Sequence, residues 1–270
     1  MPLNSVNTNN GAMVALQSLN RTNDALAATQ KRISTGFRVA DAKDDGAAFA
    51  VAQSVRSDVA GLTSANEQLG GVKGILDTTL AGLKKVSDTM QSISSVLVKL
   101  ADDRLNTEER AQYTAQYTSL RTQVQNFIAD ATYNGRTLLD TNAANGGGNI
   151  ATTRNESGTT YTLTAVDGAG TLVVAAAQAA LAAGGDFETV QTAINNALNT
   201  FGSDSNYLDA QIAYNKEKID SLQSGIGALV DADLAKESAQ LQSLQIRQQL
   251  GTQSLSIANQ APQSLLSLFR

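Results

Sequence analysis

The sequence predicts a mainly α-helical fold: a long antiparallel coiled-coil-like bundle formed by the N- and C-terminal regions, with a small α+β outer insertion. Three observations lead there. A seven-residue apolar repeat runs without a slip from Leu62 to Leu100. Only 4% of the residues are aromatic, with no Trp, and the two prolines, Pro2 and Pro262, leave the interior free of helix breakers. Weak helical stripes occupy both ends of the chain and stronger ones lie just inside them, so one bundle with both ends at one pole accounts for the whole order.

Residues 3–33 carry the first weak stripe, Ala12, Leu16, Leu19, Leu26 and Ile33, with Asn23 and Gln30 on the same face. Such polar interruptions set register at a cost in stability, so this helix is expected to form only against a partner. Asp41, Asp44 and Asp45 follow the break at Gly36. They do not make a calcium loop, because Lys43 takes a ligand position and Ala52 stands where a bidentate Glu is required. Asp44 and Asp45 are instead expected to cap the next helix, whose first N–H groups lack partners.

That helix carries the repeat. Leu62, Leu69, Leu76, Leu83, Met90 and Leu97 form one seam; Ala65, Val72, Thr79, Val86, Ile93 and Leu100 form the other. Steps of three and four place all of them on one stripe, and from Asp44 the helix would be ~85 Å long at ~1.5 Å per residue. A helix of this kind is stabilised by burying its stripe. Asn106 to Glu109 start a second helix with Tyr113, Tyr117, Leu120, Val124, Phe127 and Ala131 inward, so the two form an antiparallel hairpin. Asn134-Gly135 marks a tight turn, with 137–139 as a short extended piece.

Between 141 and 202 the composition changes. A Gly-rich stretch at 145–149, a hairpin of Thr160–Ala165 with Thr171–Val174, and a helix from Asp186 with Phe187, Val190, Ile194, Leu198 and Phe201 inward make a small insertion displayed away from the bundle. Long helix resumes at Ser203 with Leu208, Ile212, Ile219, Leu222, Ile226 and Leu229, Asn215 being the polar exception. The stripe then continues as Leu234, Leu241, Leu244, Leu255, Ala258 and Leu265, interrupted by Gln248 and Gly251. The expected divisions are 1–40, 41–140, 141–202, 203–235 and 236–270. The core bundle is assigned to Leu62, Leu69, Leu76, Leu83, Met90, Leu97, Leu120, Val124, Leu222 and Ile226.

Composition excludes several functions. There is no Cys and no His, which removes disulfides, thiolate chemistry, zinc hydrolysis and Ser-His catalysis. A net charge of −5 argues against a dedicated nucleic-acid binder. No apolar run reaches membrane-spanning length, and MPLNSVNTNNGAM lacks the regions of a cleaved secretory signal. No catalytic residue, metal, cofactor, nucleic acid or membrane partner is expected.

Three stretches carry a resemblance. KRISTGFRVADAKDDGAAFAVA (31–52) resembles the N-terminal signature of bacterial flagellin, LGTQSLSIANQAPQSLLSLFR (250–270) resembles its tail, and TYNGRTLL (132–139) is similar to the family's turn after the second core helix. The resemblance spans roughly 1–140 and 203–270, and 141–202 falls where the family is variable. It implies a structural subunit of the helical flagellar filament, secreted unfolded through the flagellar type III channel and assembled at the distal tip. The terminal helices, disordered in the monomer, would pair to line the inner tube, with contacts from Leu16, Leu19, Leu26, Ile33, Leu255, Ile257, Leu265, Leu266 and Phe269. Implied partners are further copies of the chain, an export chaperone, a cap protein and hook–filament junction proteins. The family segment read by the vertebrate innate receptor carries Arg and Glu where this chain has Ser92, Ser94 and Ser95, so weak or absent signalling is expected; 31–52 matches the segment seen by the plant receptor more closely.

Two other readings stay open at this point. A hook–filament junction protein shares the end motifs but does not polymerise indefinitely, and a Thr- and Asn-rich insertion would suit an adhesin. The metalloprotease that some flagellins carry needs a His-Glu-x-x-His helix, which a chain without histidine cannot supply.

Overall fold

The computed structural model describes residues 9–175 and 185–268, with side chains as far as residue 260. Its elements are α1 (Asn10–Thr35), α2 (Gly46–Leu100), α3 (Thr107–Asp130), β1 (Ile150–Thr153), β2 (Thr160–Leu163), α4 (Gly168–Thr171), α5 (Asp186–Val230) and α6 (Leu234–Leu268). They divide into two units, Asp58–Ser221 on one hand and Met1–Ser57 with Leu222–Arg270 on the other.

In the 58–221 unit the repeat of α2 is the organising feature. All twelve stripe positions are buried. Thr79, the polar member, donates its hydroxyl to the Ile75 carbonyl at 2.8 Å, so no polar atom is left unpaired. Helix α3 covers the stripe and runs antiparallel: Lys99 Nζ lies 5.4 Å from the Tyr113 ring centre, while Gly82 faces Ala131. Its start is a capping box, Asn106 Oδ1 accepting from Glu109 N while Glu109 accepts from Asn106 N. Arg110 closes the preceding helix by donating to the carbonyls of Leu100 (2.8 Å) and Asp102 (3.0 Å).

Helix α5 is also antiparallel to α2, fixed by Lys73–Asp209 (2.9 Å) and by Asn215, which is fully buried. Asn215 Nδ2 donates to Asn66 Oδ1 (2.9 Å) and to the Arg154 carbonyl (3.0 Å), and its Oδ1 accepts from Gln211 (2.9 Å). A satisfied polar residue at a stripe position specifies register.

Several local expectations are corrected here. The hairpin pairs β2 with β1, Ile150 opposite Leu163, and not with 171–174. Asp167 accepts from Gly170 N and starts the short α4, because Asp followed by Gly-rich sequence favours a capped turn over a strand. Residues 137–139 form no strand; Leu138 and Leu139 are buried, and the Leu138 carbonyl accepts from Val166. The insertion is not displayed away: Ile150, Leu163, Leu172, Val173 and Val174 share one apolar cluster with Leu69 to Leu100, and Tyr161 donates to Asp204 of α5 at 2.6 Å. Residues 202 and 203 lie inside α5, so no break separates the insertion's helix from the one after it. Gly146, at φ 80°, is required because a side chain there would collide with the Gly135 carbonyl.

In the other unit α1 pairs with α6, antiparallel: Asn9 Nδ2 donates to the Ala258 carbonyl (2.6 Å), Gln248 to Asn23 (2.8 Å) and Arg32 to Glu237 (3.3 Å). The α1 face turned inward is Ala12, Ala15, Leu19, Thr22, Leu26, Thr29 and Ile33. Leu16, Asn23 and Gln30 are exposed, so the stripe lies one residue over from its expected line. Gly36 ends α1 in the left-handed conformation. The following strap donates from Arg38 N and Val39 N to the Val230 carbonyl, and a small core of Val39, Ala52 and Val230 packs with Ala48, Phe49 and Ile226. Val230 is buried, whereas Leu229 and Leu234 are exposed.

Candidate self-assembly surface

The surface is built from the two apolar stripes of α6. One, Leu241, Leu244, Gly251, Leu255 and Ala258 with the polar Glu237 and Gln248 on the same line, advances by fours and threes and faces α1. The other is Ile246, Leu250 and Ile257, in steps of four and seven, turned away from the first stripe, with Leu250 at its edge lining the groove beside α1. These three are 58%, 61% and 62% exposed. Helix α1 adds Met13, Val14 and Leu16, exposed by 63%, 67% and 47%. Side chains with such periodicity and exposure are left largely uncovered within the described chain.

The α1–α6 seam itself is thin. Among its described residues only Thr29, Glu237 and Leu244 are buried. Gly251 lets Leu19 approach, its Cδ1 standing 3.1 Å from where a Cβ would be. Beside that contact a groove of about 520 Å³ runs between the helices, lined by Val14, Leu19, Leu250 and Ala258 among others. Glu237 Oε2 is buried and has no hydrogen-bond partner, although Oε1 meets Arg32.

In the acidic loop after α1 one lysine bridges two of the three carboxylates. Lys31 Nζ sits 2.7 Å from Asp41 and 3.0 Å from Asp44. Its hydrogen bonds, first to Asp41 and then to Asp44, raise its pKa, and the same contacts hold both carboxyls below the ordinary Asp range. Asp45 Oδ1 accepts from Ala47 N and Ala48 N at the start of α2. Asp44 turns the other way and accepts from Ala40 N and Asp41 N, tying the loop and not the helix. Among the described residues no group of three or more His, Cys, Asp or Glu side chains is placed to hold a metal, and no helix is long and apolar enough to cross a membrane.

Of the residues expected at copy-to-copy contacts, Leu19, Leu26, Ile33 and Leu255 are half-buried in the seam, while Leu16 and Ile257 are exposed. Leu265 and Leu266 belong to α6 but their side chains lie outside the described residues, as does Phe269 entirely. Leu222 and Ile226 fall in the unit of the chain ends and are half-buried; Leu120 is half-buried and Val124 buried in the 58–221 core. Sequence reasoning passed over Ile246, Leu250, Met13 and Val14. The four-then-seven spacing of Ile246, Leu250 and Ile257 was the available signal.

Residues 6–144 match the bacterial flagellin N-terminal helical region, and residues 186–269 match the bacterial flagellin C-terminal helical region. Over 100% of both chains the sequence is 38% identical to flagellin FljK and 37% identical to flagellin FljM of Caulobacter vibrioides. It is 34% identical to a flagellin of Brucella melitensis, over 98% of this chain and 99% of that one.

Proposed function

The chain belongs to the bacterial flagellin family, a structural subunit of the extracellular flagellar filament and not an enzyme, and from that premise we propose that the α1–α6 unit is where copies join. The observation that carries this is the second apolar stripe of α6. A helix with apolar residues on two faces needs more cover than one partner gives, and α1 covers one face. A neighbouring copy supplies the other, covering Ile246, Leu250 and Ile257 together with Met13, Val14 and Leu16. The expected contacts Leu16 and Ile257 belong to this outer surface, and Leu19, Leu26, Ile33 and Leu255 act beneath it by holding the two helices together.

The seam mixes Leu and Ile with Ala, Thr, Gln and Gly, and among its described residues only Thr29, Glu237 and Leu244 are buried, so α1 and α6 are marginal as a lone pair and are consolidated by assembly. This fits export in an unfolded state through the flagellar type III channel. Residues 1–40 and 236–270 then serve as the inner part, 41–140 with 203–235 as the wall, and 141–202 as the variable part. Partners beyond further copies are an export chaperone, the cap protein and hook–filament junction proteins. Ser92 and Ser95 are exposed and Ser94 half-buried on α2, and three hydroxyls in place of Arg and Glu suit weak vertebrate receptor signalling. A reporter assay giving a full-strength response to monomer would remove that last point.

The test is seeded growth. Purified chain added to sheared filament fragments should elongate them under electron microscopy, and a chain lacking residues 234–270 should not. Elongation by the truncated chain at an undiminished rate would reject the proposal, and growth that stops after one layer would point to a junction protein.

A further inference from the structure

The turn Tyr133–Arg136 is a two-residue hairpin: Asn134 and Gly135 take φ of 49° and 72°, and Tyr133 and Arg136 exchange backbone hydrogen bonds of 2.8 and 3.0 Å. Directly opposed residues of an antiparallel pair project to one face, so the phenol and the guanidinium emerge together. The Tyr133 ring lies over Gly74 of α2, its carbons at the hydroxyl end 3.0 to 3.3 Å from where a Cβ would stand. Beside it is a pocket of about 300 Å³ with Val72 and Ile75 as floor, Gln68, Tyr133 and Arg136 as rim, and Thr152 of β1 in its wall. That volume sits at the small end of the range of natural ligand pockets.

Two features are left unfinished. Thr152 is 3% exposed and its Oγ1 has no hydrogen-bond partner, which is costly for a buried hydroxyl. Among the described residues Arg136 has no ion-pair partner, and no acidic side chain lines the pocket. One positive charge, one orphan hydroxyl, an amide and an aromatic ring form a set complementary to a carboxylate that carries hydroxyl groups. A guanidinium takes such a carboxylate bidentately, and a ring with its outer face open receives the apolar face of a sugar.

We propose that this pocket is a carboxylate-binding site of the size of one sugar acid, with Arg136 as the charge partner, Thr152 as the buried hydrogen-bonding group and Tyr133 as the platform. A free sugar acid and the carboxylate side chain of a neighbouring copy share this chemistry. The experiment is an amide-resolved NMR titration of the full-length monomer with sodium glucuronate, sodium acetate and glucose. Glucuronate should give saturable shifts confined to residues near 68–75, 133–136 and 151–152; acetate should bind more weakly and glucose should give none. Arg136→Gln should weaken glucuronate at least about tenfold, with Arg136→Lys between the two, as expected for loss of a charged bidentate contact. Thr152→Val keeps the shape of a buried side chain, so a native spectrum with weakened binding separates recognition from folding. Equal response to glucose, shifts that never saturate, or unchanged affinity in Arg136→Gln would overturn the proposal. Equilibrium dialysis of glucuronate against filaments then assigns the source: retention marks a free acid, and loss on polymerisation marks a neighbour's carboxylate as occupant.

Discussion

Replacing Ile246, Leu250 and Ile257 together by Ser should raise the critical concentration for filament growth by roughly two to three and a half orders of magnitude. The three side chains are 58%, 61% and 62% exposed in the single chain. Full burial of a side chain of this size contributes about 1.5–3 kcal/mol, so each has roughly 1–2 kcal/mol still to gain from a neighbour. Three such gains amount to about 3–5 kcal/mol, and every 1.4 kcal/mol changes an equilibrium about tenfold. Helix propensity does not confuse the result, because Ile and Ser rank together and Leu exceeds Ser by only a few tenths of a kcal/mol. The assay is sedimentation of seeded protein across a concentration series, with circular dichroism of the monomer as control. A critical concentration within about twofold of the parent, with the substituted chain natively helical, would refute the reasoning behind that estimate.

Three further outcomes follow from the 58–221 unit. Asn215→Leu should lower the urea midpoint, costing about 1–3 kcal/mol, because the Arg154 carbonyl and Asn66 lose their buried partner; a raised midpoint would show that apolar packing outweighs the network. Gly82→Ala should lower the melting temperature although Ala favours helix by about 1 kcal/mol, since the new Cβ would stand 2.7 Å from Ala131 Cβ and overpacking costs about 1–3 kcal/mol. Glu156 donates nothing but accepts from Lys218 at 2.6 Å, and that hydrogen bond holds its carboxyl below the ordinary value of 4.5. A depressed carboxyl stabilises the fold above its ordinary pKa and loses that contribution as pH falls through the lowered one. Thermal stability should therefore decline on acidification below 4.5, less steeply in Glu156→Gln, and identical slopes would dismiss the pair as a contributor.

The main architecture was legible because the α2 repeat is strong on both seams: Leu with one Met at one, and mostly branched aliphatics with Ala65 and Thr79 at the other, leave no competing face. The same pattern reading lost the phase of α1, because Leu16 drew the line toward Asn23 and Gln30 although Ala15, Thr22 and Thr29 are together the less polar set. The two lines share Leu19, Leu26 and Ile33 and differ only at the positions between them, so the partner helix decides which one is used. The hairpin was misassigned for a related reason. Ile150-Ala-Thr-Thr153 has β-branched strand formers at three of its four positions but is too short for its pairing to be read from pattern, and that pairing with β2 is set by Ile150 and Leu163 reaching the common core. Asp44 and Asp45 are adjacent and chemically alike; Lys31 from the preceding helix, with the backbone N–H groups of Ala40 and Asp41, holds one of them away from the cap. The pocket at Arg136 and Thr152 was beyond sequence reading altogether, because its members come from three separate stretches of chain brought together by the fold.

Methionine oxidation tests the central claim most directly. Met13 is 63% exposed on the α1 surface, and Met90 is fully buried in the α2 stripe. Under dilute peroxide the single chain should form sulfoxide rapidly at Met13 and slowly at Met90, and in assembled filaments Met13 should become as slow as Met90. Undiminished oxidation of Met13 in the filament would mean that copies join through some other face.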